Sequence, residues 1–388
     1  MPKINSSKTP IYRESGFNLK DIITTKKAFN DELSHPHFPD NFIYSRYRNP
    51  TVSSVEEKIK EIEDSNWALL SQSGMSAIDI ALSIFQEAKN DDKWLIFNDI
   101  YGGTNSYIDS ILIKKRGLKI ERFSSKDNKY NLSDYIELLD KIKPKLLYFE
   151  TISNPMLIVA DANKIIDEAK KRNVIVIVDN TFAGPYLWKP LKFGADIVIH
   201  SATKYLAGHG NITAGVICGN DDNIMQKAIE YRKLIGHMIS PDDAYRLGTQ
   251  LKTYNIRFKQ QCNNANKLAL FLSNNAKINK VYYPGLKVHK TYDNAKCLFG
   301  EKAYGAMITF ELSGENDEEK STKSQKFIEL ISKHFFLIPT LGDVDTIFLP
   351  VDAVWPDKYP TPGTFRLSVG IEDYYFIEKI FNDTLNSI

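Results

Sequence analysis

Apolar residues in the first two thirds of the chain fall in short unbroken runs separated by amphipathic stretches. Runs at Trp67–Leu70, Trp94–Phe97, Leu146–Phe149, Val174–Val178, Ile197–Ile199 and Ala214–Cys218 have the length and β-branched content of strands buried on both faces. Helical spacing lies between most of them, as at Ile78, Ala81, Leu82 and Phe85 and over Asn163–Lys171. This alternation predicts an α/β fold with a mainly parallel sheet covered by helices on both faces. Ser53 and Ser54 each precede a glutamate by three residues, Glu56 and Glu57. That spacing predicts a helix starting there with a capping box, its apolar face formed by Val55, Ile59 and Ile62.

The pattern changes near residue 224. Long helical stretches are predicted over Met225–Gly236 and Asp242–Phe271, followed by strands at Ala306–Leu312, Ile347–Leu349 and Phe365–Val369. A smaller α+β domain joined to the sheet by a long helix fits this order. The expected organisation is an N-terminal arm at 1–52, a ligand-binding domain at 53–250 and a C-terminal α+β domain at 251–388. The polar run SGENDEEKSTKS (313–324) is expected to be a surface loop leading into a helix. Residues up to about 50 have little periodicity and are interrupted by Pro36, Pro39 and Pro50. They predict an extended arm that needs a partner surface to be ordered. His35 and His37 flank Pro36, with no third metal-ligand candidate nearby.

Composition narrows the function. With 388 residues, 50 Lys plus Arg against 48 Asp plus Glu and a net charge of +2, the chain carries no electrostatic footprint for nucleic acid. MPKINSSKTPIY has no apolar stretch that reads as a signal peptide, and no apolar run approaches membrane-spanning length. Cys218, Cys262 and Cys297 are far apart and form no metal or disulfide spacing. A cytoplasmic protein without a metal is expected.

Ligands of open α/β sheets bind beyond the carboxyl ends of the strands, and the residues there form a set. Ser201, Thr203 and Lys204 follow the run ending at Ile199, with Gly208 and Gly210 close behind. A partly desolvated lysine has a lowered pKa and attacks carbonyls as a neutral amine. Ser71-Gln72-Ser73-Gly74-Met75 opens a helix whose first N–H groups attract anions. Tyr101 begins Tyr-Gly-Gly-Thr after Trp94–Phe97 and is placed to stack on an aromatic ring. Asp179 ends an entirely apolar strand, and a carboxylate there needs a cation: a protonated pyridine nitrogen, a metal or a buried arginine. The lysine, the glycine turn and the tyrosine each read alone as an ordinary surface or turn residue, whereas Asp179 is the stronger signal because it needs a partner. Together they describe an aromatic, phosphorylated, aldehyde-bearing ligand, which is pyridoxal phosphate.

Seven stretches, YSRYRNPT (44–51), SQSGMSAI (71–78), YGGT (101–104), ETISNP (150–155), VDNTFAGPY (178–186), HSATKYLAGHG (200–210) and RLSVGIED (366–373), resemble the Cys/Met-metabolism family of pyridoxal-phosphate enzymes. That family includes cystathionine γ-synthase, cystathionine γ-lyase, methionine γ-lyase and O-acylhomoserine sulfhydrylases. The resemblance spans nearly the whole chain in the family's order and implies the type I pyridoxal-phosphate fold. It also implies roles. Lys204 is the Schiff-base lysine and proton carrier, Asp179 pairs the pyridinium, and Tyr101 covers the ring and serves as general acid or base. Ser73, Gly74, Met75, Ser201 and Thr203 bind phosphate. Asn154, Thr340 and Arg366 form the substrate site for the amino acid. Tyr44 and Arg46 reach the cofactor of a neighbouring subunit, so the expected assembly is a homodimer with shared active sites, with a homotetramer as the higher form.

Two departures bear on substrate. Family members that handle cystathionine commonly carry an arginine shortly after the YGGT tyrosine, where Ser106 stands here; serine cannot replace a guanidinium fork. This favours a substrate without a distal carboxylate, although methionine γ-lyases often have cysteine at the place of Gly103. Near residue 340, Thr340-Leu341-Gly342-Asp343 and the later Asp352 and Trp355 replace the usual Ser-Leu-Gly and Pro-Ala-x-x-Thr-His pattern. The expected activity is a carbon–sulfur lyase of sulfur amino acid metabolism (transsulfuration), of methionine or cystathionine γ-lyase type. A γ-replacement transferase and a cofactor-binding protein without turnover are the alternatives.

Overall fold

The computed structural model describes residues 8–34, 39–87, 92–300 and 302–388; the His35/His37 pair lies outside them. Seven strands build the larger sheet: β1 (Trp67–Ser71), β2 (Lys93–Phe97), β3 (Lys119–Phe123), β4 (Leu146–Glu150), β5 (Ile175–Asp179), β6 (Ile197–His200) and β7 (Gly215–Gly219). Their order is β1-β7-β6-β5-β4-β2-β3. β7 runs antiparallel to both its neighbours, and the remaining pairs are parallel. β1, β4, β6 and β7 are buried at every position. Covering both faces removes any reason for alternation, which is why these strands read as continuous apolar runs. β3, at the edge, is largely uncovered and reads KIERF, so no apolar run marks it.

Four helices precede or follow the early strands: α1 (Ile22–Ser34), α2 (Pro50–Glu63), α3 (Gly74–Ser83) and α4 (Gly102–Tyr107). α1 corrects the expected extended arm. Its Ile22 and Ile23 are exposed while Ala28 is buried, so its large apolar residues do not mark a buried face. α2 corrects the expected capping box. Asn49 Oδ1 accepts from the Thr51 and Val52 amides at 2.9 and 3.4 Å, and Pro50 takes the first helical position, where its missing N–H costs nothing. Glu56 is instead buried, accepting from Leu70 N at 2.9 Å and Arg232 Nη1 at 2.6 Å.

The predicted helix over 242–271 is broken into Pro241–Gln250, a 3-10 turn at Leu251–Thr253, and Tyr254–Ser273. At the break, Gln250 O accepts from Thr253 Oγ1 and Arg257 Nη2 at 3.1 and 3.2 Å, so that carbonyl is not left bare. Helix Tyr254–Ser273 places Tyr254, Phe258 and Cys262 in the core around the large sheet. Its Ala265, Leu268, Ala269 and Leu272 belong to a second core.

That second core lies on a smaller sheet of β8 (Ile278–Tyr282), β9 (Met307–Leu312), β10 (Phe336–Leu337), β11 (Ile347–Pro350) and β12 (Thr364–Ser368), ordered β10-β11-β12-β9-β8. It is antiparallel except for the β10–β11 pair. The polar run expected as a surface loop leading into a helix does so, and enters the helix early: helix Asp317–Ile331 starts within the run. Asn316 caps it by accepting from Glu319 N at 2.9 Å, and three acids in its first turn suit the helix dipole. No helix among the described residues is long and apolar enough to cross a membrane.

Candidate active site

A cavity of about 290 Å³ opens beyond the carboxyl ends of the parallel strands, bordered by Arg366 of β12 and by Pro339, Thr340 and Leu341 of the β10–β11 connection. It collects Ser73, Gly74, Met75, Tyr101, Asn154, Asp179, Ser201, Thr203, Lys204, Thr340 and Arg366. Tyr44 and Arg46 are not brought there. Arg46 Nη1 donates to Lys233 O at 2.6 Å, and its guanidinium lies 5.5 and 5.2 Å from the Tyr44 and Tyr47 rings.

Lys204 stands in the turn after β6. Its Nζ donates to Thr340 Oγ1 at 2.9 Å. Burial lowers its pKa to about 8, with the nearby Arg366 charge adding to the effect, so about a tenth of the amine is neutral at pH 7. Thr340 reaches the lysine because Gly342 lets the segment lie against the lysine's backbone. Gly342 has φ +82°, and a Cβ there would sit 2.7 Å from Tyr205 N and 2.8 Å from Lys204 C. Thr340 O accepts from Arg366 Nη2 at 3.1 Å, and Arg366 Nη1 donates to Asn154 Oδ1 at 3.1 Å. Lys204, Thr340, Arg366 and Asn154 thus form one chain of contacts. Arg366 lies in β12 and is itself buried, which lowers its pKa to about 10.

Two carboxylates end adjacent parallel strands in register, Glu150 on β4 and Asp179 on β5. Asp179 Oδ1 accepts from Thr181 N at 3.0 Å and Thr181 Oγ1 at 2.6 Å, and Oδ2 accepts from the Tyr148 hydroxyl at 3.4 Å. Burial raises the pKa of both acids, and the Asp179 charge raises Glu150 further. No cation hydrogen-bonds to Asp179 among the described residues. A positive charge on the cavity's occupant would favour its ionised form.

At the other end, Ser73 caps α3 by accepting from Ser76 N at 3.1 Å, and the next amides start the helix. A Cβ on Gly74 would lie 2.9 Å from Ser201 Cβ and Oγ, so glycine is what lets Ser201 close against the helix start. Thr203 lines the same wall, but its hydroxyl donates to Ala214 O at 3.1 Å and accepts from Ala214 N at 2.9 Å. Tyr101 N donates to Glu150 Oε1 at 2.7 Å, which fixes the tyrosine's backbone while the residue as a whole stays 47% exposed. A Cβ on Gly103 would lie 2.4 Å from Tyr101 Cε1. Ser106 is exposed, and Asp352 does not line the cavity.

The parts fit pyridoxal phosphate. A low-pKa amine meets an aldehyde, an unpaired buried acid meets a pyridinium, and a helix start meets a phosphate. Glu150, Thr181 and Gly342 carry no role in the sequence reading. Glu150 and Thr181 lie inside quoted motifs, and their position beside Asp179 is the detectable signal. Gly342 declares itself only through a backbone angle.

Residues 1–386 match the Cys/Met metabolism PLP-dependent enzyme family. Cystathionine beta-lyase of Lactococcus lactis subsp. cremoris is 36% identical over 86% of this chain and 83% of its own. L-methionine gamma-lyase of Fusobacterium nucleatum subsp. polymorphum is 35% identical over 96% of this chain and 91% of its own. Cystathionine gamma synthase from Xanthomonas oryzae pv. oryzae, solved in complex with aminoacrylate and cysteine, superposes with a TM-score of 0.85 at 28% identity, covering 97% of this chain and 92% of that one. The chain therefore belongs to the Cys/Met metabolism PLP-dependent enzymes and shares their fold.

Proposed function

We propose that this member of the family is a carbon–sulfur lyase of methionine γ-lyase type, converting a thioether amino acid and water to a thiol, a 2-oxo acid and ammonia. The observation that carries this reading is the charge of the cavity. Among the described residues lining it, the cations are Lys204 and Arg366. One amino acid substrate occupies Arg366 with its α-carboxylate, which leaves no cation of this chain for a distal carboxylate. A methylthio group needs none. Two of the relatives also carry lyase names.

In this reading Asp179 would pair with the pyridine nitrogen, Lys204 would hold the aldehyde, and Ser73, Gly74, Met75, Ser201 and Thr203 would hold the phosphate. When bound, the cofactor draws electron density away from the substrate α-carbon. Arg366 and Asn154 bind the α-carboxylate, the guanidinium matching its planar geometry. Lys204 would take the α-proton and move protons at the β-carbon. Thr340 holds the amine in place through its hydroxyl. The Tyr101 hydroxyl protonates the departing sulfur. Tyr44 and Arg46 of the partner subunit complete the phosphate site in a homodimer, with pairing into a homotetramer. This fits their position outside their own chain's cavity. The chain is read as arm 1–52, cofactor domain 53–250 and C-terminal domain 251–388, and as cytoplasmic.

The test is product analysis with L-methionine, with and without a second thiol. Keto acid, ammonia and methanethiol in equal amounts without added thiol are expected. Traces of keto acid together with incorporation of a supplied thiol would overturn the lyase in favour of a γ-replacement transferase.

A further inference from the structure

Arg366 is held in an unusual way for a buried cation. Its hydrogen-bond acceptors are neutral, Asn154 Oδ1 and Thr340 O. A carboxylate partner would fix it more firmly but would cancel the charge that an incoming carboxylate needs. The orienting group is instead an aromatic ring. The Trp355 ring centroid lies 5.7 Å from Arg366 Cζ, and the quadrupole of an indole attracts a guanidinium without consuming an N–H.

Trp355 belongs to the connection between β11 and β12, just after the short helix Val351–Val354. Its own backbone is tied at both ends: N donates to Val351 O at 2.9 Å, and O accepts from Tyr359 N at 2.8 Å. Lys358 Nζ reaches Asp99 Oδ1 at 3.4 Å, anchoring the connection to the loop that precedes Tyr101. Trp355 Nε1 would lie 3.3 Å from a Cβ on Gly102, so the indole abuts the Tyr101–Gly102 turn. The ring therefore fills the space between that turn and Arg366.

We propose that Trp355 is a positioning residue for recognition of the substrate α-carboxylate: its indole lies between the Tyr101–Gly102 turn and Arg366 and sets the plane of the guanidinium while leaving its charge free. This deepens the reading above, because it rests on Arg366 being the carboxylate receptor. It does not depend on which bond is cleaved.

The test uses the holoenzyme and three substitutions. Trp355→Phe keeps an aromatic face, Trp355→Leu keeps bulk without one, and Trp355→Ala removes both. Binding is measured by calorimetry with α-methylmethionine, which has no α-proton to lose, and with 3-(methylthio)propylamine, which has no carboxylate. Loss of a desolvated cation–π contact predicts that Leu and Ala weaken α-methylmethionine binding about 5- to 30-fold, with Phe retaining most of it. The amine should bind all four proteins alike. With turnover substrates, KM should rise by a similar factor while kcat changes by less than about twofold. Equal weakening of amine and amino acid, or unchanged affinity in Leu and Ala, overturns the proposal. If elimination proves not to be the reaction, the amine-to-amino-acid comparison still decides it. If Trp355→Ala does not fold, the Leu and Phe pair decides it.

Discussion

Lys204 should destabilise the cofactor-free protein, and the penalty can be read by replacing it with methionine. Its pKa falls from the ordinary 10.5 to about 8 because burial and the Arg366 charge disfavour the protonated amine. At about 1.4 kcal/mol per pH unit, that displacement corresponds to about 3 kcal/mol of unfavourable free energy when the lysine is charged. Lys204→Met relieves it but loses the bond to Thr340 Oγ1, worth about 1 kcal/mol. A net gain of about 2 kcal/mol at pH 7 is expected. The sign with pH follows from linkage. The folded state releases its proton near 8 and the unfolded state near 10.5, so between these values the unfolded state binds more protons and wild-type stability rises with pH. The advantage of Lys204→Met should therefore be full below pH 8 and shrink away as pH approaches 10.5. Urea unfolding of both cofactor-free proteins at neutral and alkaline pH measures the gap. A gap that does not shrink at alkaline pH, or a variant less stable than wild type at pH 7, would refute the reasoning.

Asp179→Asn keeps a carbonyl oxygen for Thr181 but removes the negative charge, and cofactor affinity should fall about 100-fold or more, measured by equilibrium dialysis. Arg46→Ala should weaken cofactor affinity at protein concentrations that keep subunits associated and matter little where they separate; affinity independent of the substitution in the associated form would exclude the arm from the site. Gly342→Ala forces φ +82° on a residue with a Cβ 2.7 Å from Tyr205 N; a loss of about 1–3 kcal/mol is expected, read as a lower Tm. Gly103→Cys should push the Tyr101 ring from its present position, lowering kcat more than affinity for α-methylmethionine.

Much of the large sheet was legible because strands covered on both faces must be apolar at every position, and β4, β5 and β6 each end in a polar residue where the sheet ends. Lys204 and Asp179 were legible for the same reason: each is a polar group at or just after the end of an apolar run. β3 and β10 were not, since an exposed edge strand and a two-residue strand place little demand on side chains. The capping box failed at Ser53 because Asn49-Pro50 had already started the helix one turn earlier, leaving Glu56 free to pair with a distant arginine. Contacts between the two sheets, such as Lys204 with Thr340, join residues 136 apart in the chain. No local pattern encodes such a pair.

Helix Tyr254–Ser273 has a consequence beyond packing. Its Arg257 donates to Tyr205 O at 3.0 Å and Leu206 O at 3.1 Å, the carbonyls immediately after Lys204. The lysine's main chain is thus gripped by a helix whose other end is embedded in the second core. Mechanically the helix is a lever with its handle among Leu268 and Leu272 and its tip beside the reactive amine. A cavity opened at either leucine, far from any substrate, would reach the chemistry as a change in where the amine points.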